Sequence, residues 1–422
     1  MSNKIQVKIN KVDDRLYYAI GLFSTMQIIS VFNISLFVFI SYIVLIYMLA
    51  NRRCIKLFDN SIIIYSIIIC MSTGINVGCS VLSDGYSIRT ITSMLNMLIL
   101  IFIYILASRE NLKNFVDGFE MSCKVQLFWC VVQIICIKFL NFDINNFVFN
   151  RLLSMTDNVT QSREGELVCT GLHWHAANLI PIVIYLYCFS KSFFMKGLSA
   201  IVVLFTQNTT ALITLGVCVV MDVLIIGRKI VKSRIKKISI KNLVIVLGCT
   251  ILVVLTINRV LPYAIEKIEK VIYRFSALTG NLKGGEDDVG ISSLTHLNYY
   301  RLLPEIILQN GPINAIIGYG VECSGFIYSQ MYGQYIEIIW VIESDIVNTI
   351  LNIGIIGFVV HYWLLMRLFL VMKREKKYWM FVLAILVGGI TYNIQFNWLL
   401  FLMLALYGLY TNESMKIEKM KG

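Results

Sequence analysis

Residues 34–50 read ISLFVFISYIVLIYMLA, and residues 91–107 read ITSMLNMLILIFIYILA. Neither stretch contains a charged residue, and each approaches the ~20 residues that a helix needs to cross a bilayer. The apolar residues come in such blocks rather than in alternation, which excludes an outer-membrane β-barrel. Of the 422 residues, 58% are hydrophobic and 15% are charged, whereas a soluble domain is roughly 25% charged. The sequence therefore excludes soluble, secreted disulfide-rich and disordered proteins and predicts an all-α polytopic membrane protein.

Basic residues cluster in alternate connections between about twelve predicted transmembrane helices, which together form a single integral membrane domain over 1–422. The predicted spans are 16–30, 34–50, 61–79, 91–107, 123–140, 172–190, 197–207, 209–227, 242–259, 346–371, 378–394 and 396–411. Lys and Arg favour the cytoplasmic side of a membrane, so this pattern predicts that both termini are cytoplasmic. The net charge of +12 then reflects topology, and it does not indicate nucleic-acid binding.

The stretch 197–227 must cross twice to keep this alternation, and we expect it to form a broken hairpin that turns at 206–210. Two external connections are long. The first, 141–171, is polar. The second, 260–345, is predicted to contain an amphipathic helix over 261–278, followed by a helix from near residue 292 to about residue 309. Long loops with helices of their own are usually functional.

Three external arginines suit recognition of phosphate, because a guanidinium group binds two oxygens at once and keeps its charge at low dielectric. Arg151 and Arg163 lie in the first long loop, and Arg301 lies in the second. The alternative is that these arginines only contact lipid headgroups. Arg274, on the amphipathic helix, is a further candidate for substrate binding.

Two clusters of polar residues lie next to predicted spans, both on the external side. His173, His175 and Asn178 lie at the start of the sixth span, where histidine can transfer protons near neutral pH. On a helix, His175 and Asn178 would share a face; the alternative is an interfacial belt of polar and aromatic residues.

Glu343 and Asp345 precede the tenth span, with Asn348 one turn further along. Carboxylates at a bilayer edge are functional candidates, although Ser344 or Asp345 can equally serve as the helix N-cap. The eleven cysteines show no metal-binding spacing, and no phosphate-binding glycine loop occurs. We therefore expect neither a metal nor a cofactor.

Several stretches together resemble the O-antigen polymerase and ligase superfamily. These are Arg301-Leu-Leu-Pro-Glu305, Gly311-Pro312, Ile317-Gly-Tyr-Gly320, Glu343-Ser-Asp345 with Asn348, Leu351-Asn-Ile-Gly354, and Arg163 followed by Gly171, His175 and Asn178. Thr206-Gln-Asn-Thr209 lies where the family often has T-x-S-R, so one expected arginine is absent. The ligase branch typically has His-Asn at the position of Ser344-Asp345, which favours a Wzy-like polymerase over a ligase.

The resemblance implies a metal-independent, GT-C-like glycosyltransferase of the bacterial cytoplasmic membrane. Such a polymerase joins undecaprenyl-diphosphate-linked oligosaccharides on the external face to build capsule, exopolysaccharide or O-antigen, alongside a flippase and a chain-length regulator. Arg301 and Arg163 would stabilise the leaving diphosphate, and His175, His173 or Asp345 would act as the base. The residues expected to bind substrate are His173, Asn178, Glu343, Asn348, Arg151 and Arg274. The alternatives are a lipid-linked glycan transporter or flippase and a ligase-type transferase.

Overall fold

The computed structural model describes residues 2–31, 34–51, 60–79, 84–154, 162–163, 166–173, 175–206, 208–232, 299–305, 307, 311–327, 342–371, 376–393 and 397–419. The predicted span 242–259, the amphipathic helix 261–278 and Arg274 lie outside this part of the chain. Where it is described, the chain is mainly helical, and its strands form two short antiparallel pairs, Ser30–Val31 with Ile34–Ser35 and Ser162–Arg163 with Glu166–Leu167.

The helices follow the predicted apolar blocks along most of the described sequence. They are α1 (Ser2–Phe23), α2 (Leu36–Ala50), α3 (Asn60–Gly78), α4 (Asp84–Leu106), α5 (Arg109–Leu140), α6 (Ile180–Phe189), α7 (Phe193–Phe205), α8 (Thr209–Lys232), α9 (Gly311–Ile317), α10 (Asp345–Val371), α11 (Lys376–Thr391) and α12 (Asn397–Lys419). A π-helix covers Asn146–Leu152, a 3-10 helix covers Ala176–Leu179, and residues 299–305 are helical.

Small polar side chains fix where several helices begin, because they accept hydrogen bonds from the free N–H groups of the first turn. Ser35 caps α2, and Ser192 caps α7. Ser108 and Asn111 form a reciprocal capping box at the start of α5. The Asn208 side chain accepts from the Ala211 N–H at 3.1 Å, which starts α8. The predicted turn at 206–210 is therefore present, with α7 and α8 on either side of it.

The described structure is that of an all-α membrane protein. Four helical stretches are long and apolar enough to cross a membrane: Asn60–Gly78, Gly85–Leu106, Arg109–Leu140 and Asp345–Arg367. Large apolar side chains on α2, α4 and α5 face outward, with Ile46 66%, Phe102 50% and Phe128 68% exposed. Such a surface is stable against hydrocarbon and unfavourable in water.

Helices α1 and α5 run side by side in the same direction, and they pack so closely that their backbones are in contact. A Cβ added at Gly21 would lie 2.1 Å from the Phe115 carbonyl oxygen, and one at Gly118 would lie 2.2 Å from that of Tyr18. Only glycine fits at such a crossing.

The prediction of a first span over 16–30 is wrong in its bounds, since α1 extends from Ser2 to Phe23; turns and a short strand pair follow it.

One end of the bundle collects buried polar residues, and we call it the polar end. It is the end where α1 and α3 finish and where α2, α4 and α10 begin, and it lies beside the middle of α5. Thr25 and Ser122 share a hydrogen bond of 2.6 Å there, next to the end of α1. The Asn76 amide of α3 donates to the Gly318 carbonyl at 2.8 Å.

Helix α10 is broken at Gly354, which has φ 69° and ψ −178°. Two carbonyls just before the break accept hydrogen bonds from the turn Gly318–Tyr319–Gly320, which we call the glycine turn: Tyr319 N–H donates to Leu351 and Gly320 N–H to Asn352, both at 2.8 Å. Buried backbone groups must be paired, so the glycine turn and the break in α10 depend on each other.

Glycine is required on both sides of this contact. A Cβ at Gly354 would lie 2.1 Å from the Ile316 carbonyl oxygen, and a Cβ at Gly318 would lie 2.4 Å from the Gly354 nitrogen. Both residues also have positive φ, which L-residues other than glycine adopt at a cost. The glycine turn is thereby fixed at the polar end, and it places the residues that follow it, Val321 to Ser324, beside α10.

Candidate functional site

Two cavities lie at the polar end and share part of their lining. The first, which we call the α10 cavity, has a volume of about 190 Å³ and is lined by Glu322, Asn348, Thr349, Asn352, His361, Asn393 and Asn397 among others. The second, the α1 cavity, has a volume of about 160 Å³, and its lining includes Ser24, Gln27, Ser35, Glu322, Asn397 and Trp398. Both volumes far exceed the ~10–15 Å³ that one water molecule needs. Glu322 and Asn397 line both cavities.

The polar lining of these cavities consists mainly of amides and hydroxyls. An amide side chain offers two donors and an acceptor, so it can bind a ligand hydroxyl whichever way the hydroxyl points. Apolar side chains complete the walls, among them Val321, Ile353 and Leu400 in the α10 cavity and Phe23, Phe37 and Val38 in the α1 cavity. A ligand that combines hydroxyl groups with apolar surface matches this lining better than a strongly charged one.

Glu322 forms an ion pair with Arg89 at the junction of the cavities. The Arg89 Nε lies 3.2 Å from a Glu322 carboxylate oxygen, and both side chains are about one-third exposed, 35% and 37%. Glu322 has φ 59°, a left-handed conformation that is uncommon for glutamate and is often found at functional sites. Sequence reasoning missed both residues. An arginine on the predicted external side runs against the positive-inside preference, and that was the available signal for Arg89.

Asn348 lies in the α10 cavity within a network that joins α10 to the chain after the glycine turn. The Ser324 hydroxyl donates to Asn348 Oδ1. Asn352 Nδ2 donates to the same oxygen at 3.1 Å, while Asn352 Oδ1 accepts from the backbone N–H groups of Ser324 and Cys323 at 3.0 and 3.2 Å. This network holds Glu322 close to the amides of α10.

Asp345 begins α10, is 4% exposed, and packs against α11, where a Cβ at Gly389 would lie 2.6 Å from its Oδ2. It lines a smaller cavity of about 40 Å³ together with His361. Ser344 accepts a hydrogen bond from the Val347 N–H at 3.5 Å, so the predicted cap belongs to Ser344. Glu343 is half-buried and also interacts with neighbouring groups.

Arg301 lies beside this group on the helical segment 299–305, and its side chain is exposed. The neighbouring Tyr300 fixes the segment: its hydroxyl lies 2.8 Å from the Ser344 hydroxyl and donates to the Ile390 carbonyl at 2.5 Å. Burial raises the pKa of Tyr300, so its phenol stays protonated and keeps donating. The structure therefore places the segment of Arg301 next to the start of α10, as a shared site requires.

His175 contacts the same region from the other side, since its Nδ1 lies 3.0 Å from the Tyr392 hydroxyl at the end of α11. The prediction that His175 and Asn178 share a helical face is wrong. His175 is extended, with φ −138° and ψ 137°, and the 3-10 helix begins after it at Ala176. The predicted start of this span at 172 is too early for the same reason: α6 begins at Ile180, with Pro181 in its first turn.

His173 is fully buried in the loop before these helices, behind the lining of the α1 cavity. Its Nδ1 donates to Gln27 Oε1 at 3.1 Å, and its Nε2 accepts from Gln126 Nε2 at 3.4 Å. Asn178 Nδ2 donates to the same Gln27 oxygen at 2.8 Å. Burial lowers the pKa of His173 to about 3, so the ring is neutral at physiological pH. His173 and Asn178 thus orient Gln27, which faces the cavity.

Of the other predicted arginines, Arg151 lies apart from these contacts, and the side chain of Arg163 is not among those described. Arg151 is exposed at the end of the π-helix. Arg163 pairs through its backbone with Glu166, and its side chain lies outside the described part of the chain.

Within the described residues, no group of three or more His, Cys, Asp and Glu side chains is arranged to hold a metal ion. No known family model matches the chain, and no curated protein matches it.

Proposed function

We propose that the protein is a polysaccharide polymerase that joins undecaprenyl-diphosphate-linked oligosaccharide units on the external face of the bacterial cytoplasmic membrane. The observation that carries this proposal is the pair of amide-lined cavities that meet at the polar end of an otherwise apolar helical bundle. A carrier lipid occupies the bilayer, so its sugars have to be bound at one end of the bundle.

The amide lining supports a glycan as the ligand. Sugars present many hydroxyl groups in fixed directions, and side chains such as Asn348, Asn352 and Gln27 both donate to and accept from such groups. Protein interactions hold these amides in place before a ligand arrives, which lowers the entropy cost of binding.

Transfer from a carrier requires a cation where the diphosphate leaves, because negative charge develops there in the transition state. Arg301 is exposed beside the start of α10, where it can approach a headgroup. We expect Arg301, with Arg163, to supply this charge. Of the bases that the sequence predicts, Asp345 and His175 both lie around the end of α11.

The second candidate function is a transporter or flippase of lipid-linked glycan. The break in α10 at Gly354 favours it, because discontinuous helices form substrate sites in many transporters. A purified protein that moves labelled carrier-linked glycan across vesicles without elongating it would support this alternative.

The test begins with gel and mass analysis of carrier-linked glycan in a strain that lacks the gene. Loss of a polymerase leaves single repeat units on the carrier, whereas loss of a ligase leaves full-length polymer without its final acceptor. Complementation with Arg301→Ala should restore the protein to the membrane but not the long polymer. Lys191→Ala is the matched control, because Lys191 is an exposed cation in the turn between α6 and α7. Normal polymer length with Arg301→Ala and Arg163→Ala would refute the proposed role of these arginines.

A further inference from the structure

We infer that Glu322 is the general base of the transfer and that the two cavities are its sugar subsites, one for the donor and one for the acceptor. This inference rests on the proposed function. A polymerase has two glycans to hold, and the reacting atoms must meet where the two binding regions touch. Glu322 and Asn397 are the residues that line both cavities, and of these two only Glu322 can accept a proton from an alcohol.

The backbone at Glu322 supports a functional role. A glutamate at φ 59° costs more than a glycine or asparagine there, and such conformations persist only where the surrounding structure enforces them. The enforcement is visible on both sides of the residue: the glycine turn is bonded to α10 before it, and the backbone of Cys323 and Ser324 is bonded to Asn352 after it. Arg89 then holds the carboxylate from α4.

Asp345, a carboxylate that the sequence predicts as a base, is placed less well for the reaction. Asp345 does not line either of the two larger cavities, and its carboxylate packs against Gly389. The smaller cavity that it lines is mainly apolar, with Leu365, Ile385, Leu386 and Leu399 in its wall. We therefore assign Asp345 to positioning α10 against α11, and Glu322 to the proton transfer.

The reaction balances with these groups. The acceptor hydroxyl gives its proton to a Glu322 oxygen, and its own oxygen forms the new bond to the anomeric carbon of the donor sugar. The bond from that carbon to the carrier diphosphate breaks, and its electron pair stays on the diphosphate. Glu322 then releases the proton to water and returns to its starting state.

The experiment uses the full-length protein in lipid vesicles, supplied with carrier-linked repeat units extracted from the deletion strain. Glu322→Gln keeps the shape of the side chain and removes the base, so we expect the polymerisation rate to fall by ~10²–10⁴-fold. Glu120→Gln is the matched control, because Glu120 also forms an ion pair, with Lys124 at 2.8 Å, but lies away from the cavities. We expect its rate to be unchanged.

A double variant, Arg89→Gln with Glu322→Gln, removes both charges of the ion pair. It tests whether Glu322 acts as the base or serves only to neutralise Arg89. If Glu322 only neutralises Arg89, the double variant recovers the activity that the single variant lost, and the inference is overturned. If Glu322 is the base, the double variant stays as slow as Glu322→Gln. A near-normal rate in Glu322→Gln alone also overturns the inference.

Failure of the inference is distinguishable from failure of the proposed function. When the unaltered protein polymerises the extracted units and Glu322→Gln does so equally well, only the role of Glu322 is refuted. When the unaltered protein does not polymerise them, the proposed function itself is refuted. If Glu322→Gln does not reach the membrane, Glu322→Asp takes its place: a shift of the acidic limb of its pH–rate profile supports the inference, and an unmoved limb contradicts it.

Discussion

Replacing Gly354 by alanine should open the contact between α10 and the glycine turn. The left-handed conformation costs an alanine ~1–2 kcal/mol, and a Cβ placed 2.1 Å from the Ile316 carbonyl oxygen adds an overpacking cost of ~1–3 kcal/mol. The sum is about 2–5 kcal/mol, before any loss of the two backbone hydrogen bonds that join Tyr319 and Gly320 to α10.

Cys323 is a natural reporter of this opening. Its thiol is fully buried directly after the glycine turn, and its N–H donates to the Asn352 side chain at 3.2 Å. Labelling by a thiol reagent requires local opening, so its rate follows the free energy of that opening. A cost of at least ~2 kcal/mol raises the labelling rate about 30-fold or more. Mass spectrometry measures labelling at Cys323 separately from labelling at Cys188, which is buried between α6 and α8.

Gly74→Ala is the control for this prediction. A Cβ there meets no atom within 4 Å, and alanine favours a helix interior by ~0.5–1 kcal/mol over glycine. Its Cys323 should be labelled no faster than in the unaltered protein. Equal labelling of Cys323 in Gly354→Ala and Gly74→Ala would refute the dependence of the glycine turn on the break in α10.

Three further predictions concern stability, each measured as the melting temperature in detergent. Gly118→Ala should destabilise the α1–α5 crossing by ~1–3 kcal/mol, whereas Gly216→Ala, which has open space around it, should not; equal melting of the two would contradict the close crossing. Tyr300→Phe should cost ~0.5–1.5 kcal/mol, because the buried Ser344 hydroxyl and the Ile390 carbonyl lose their hydrogen bonds to the phenol; an unchanged melting temperature would contradict that anchor. Burial lowers the pKa of His173 to about 3, whereas an unfolded histidine titrates near ~6.5, so the unfolded state binds the extra proton between these values. Stability should therefore be greatest above about pH 6.5 and fall toward pH 3, and His173→Asn should reduce this fall; equal pH dependence would contradict the buried neutral ring.

The helical membrane architecture could be predicted from the sequence because it depends on local composition. The apolar blocks at 34–50 and 91–107 each lie almost entirely in a helix, α2 over Leu36–Ala50 and α4 over Asp84–Leu106, and the polar residues at 206–210 do separate two helices. The errors arose where tertiary contacts override composition. The first helix continues through a polar N-terminal stretch, and the helix expected from 172 begins at Ile180, because the preceding residues are bonded to Gln126 and Gln133 of α5 instead.

The candidate site could be predicted only in part, for a different reason. Asp345 and Asn348 lie at the edge of an apolar block. Polar residues at such an edge can be recognised from the sequence alone. Glu322 is informative only through its pair with Arg89, and the two residues come from parts of the chain that are far apart in sequence. The break at Gly354 was hidden in the same way, since a glycine within a helical pattern is usually tolerated and its partner turn lies in another segment.

The dependence of the glycine turn on α10 also sets an order for biogenesis. Residues 318–320 leave the ribosome before α10, so they have no carbonyls to bind until the later helix has been inserted. Until then their N–H groups require water or another partner. The segment 311–327 is therefore expected to pack against the bundle only after α10 has been inserted. In a nascent chain released before residue 354, proteases should cleave this segment, whereas the earlier α1–α5 pair should already be protected.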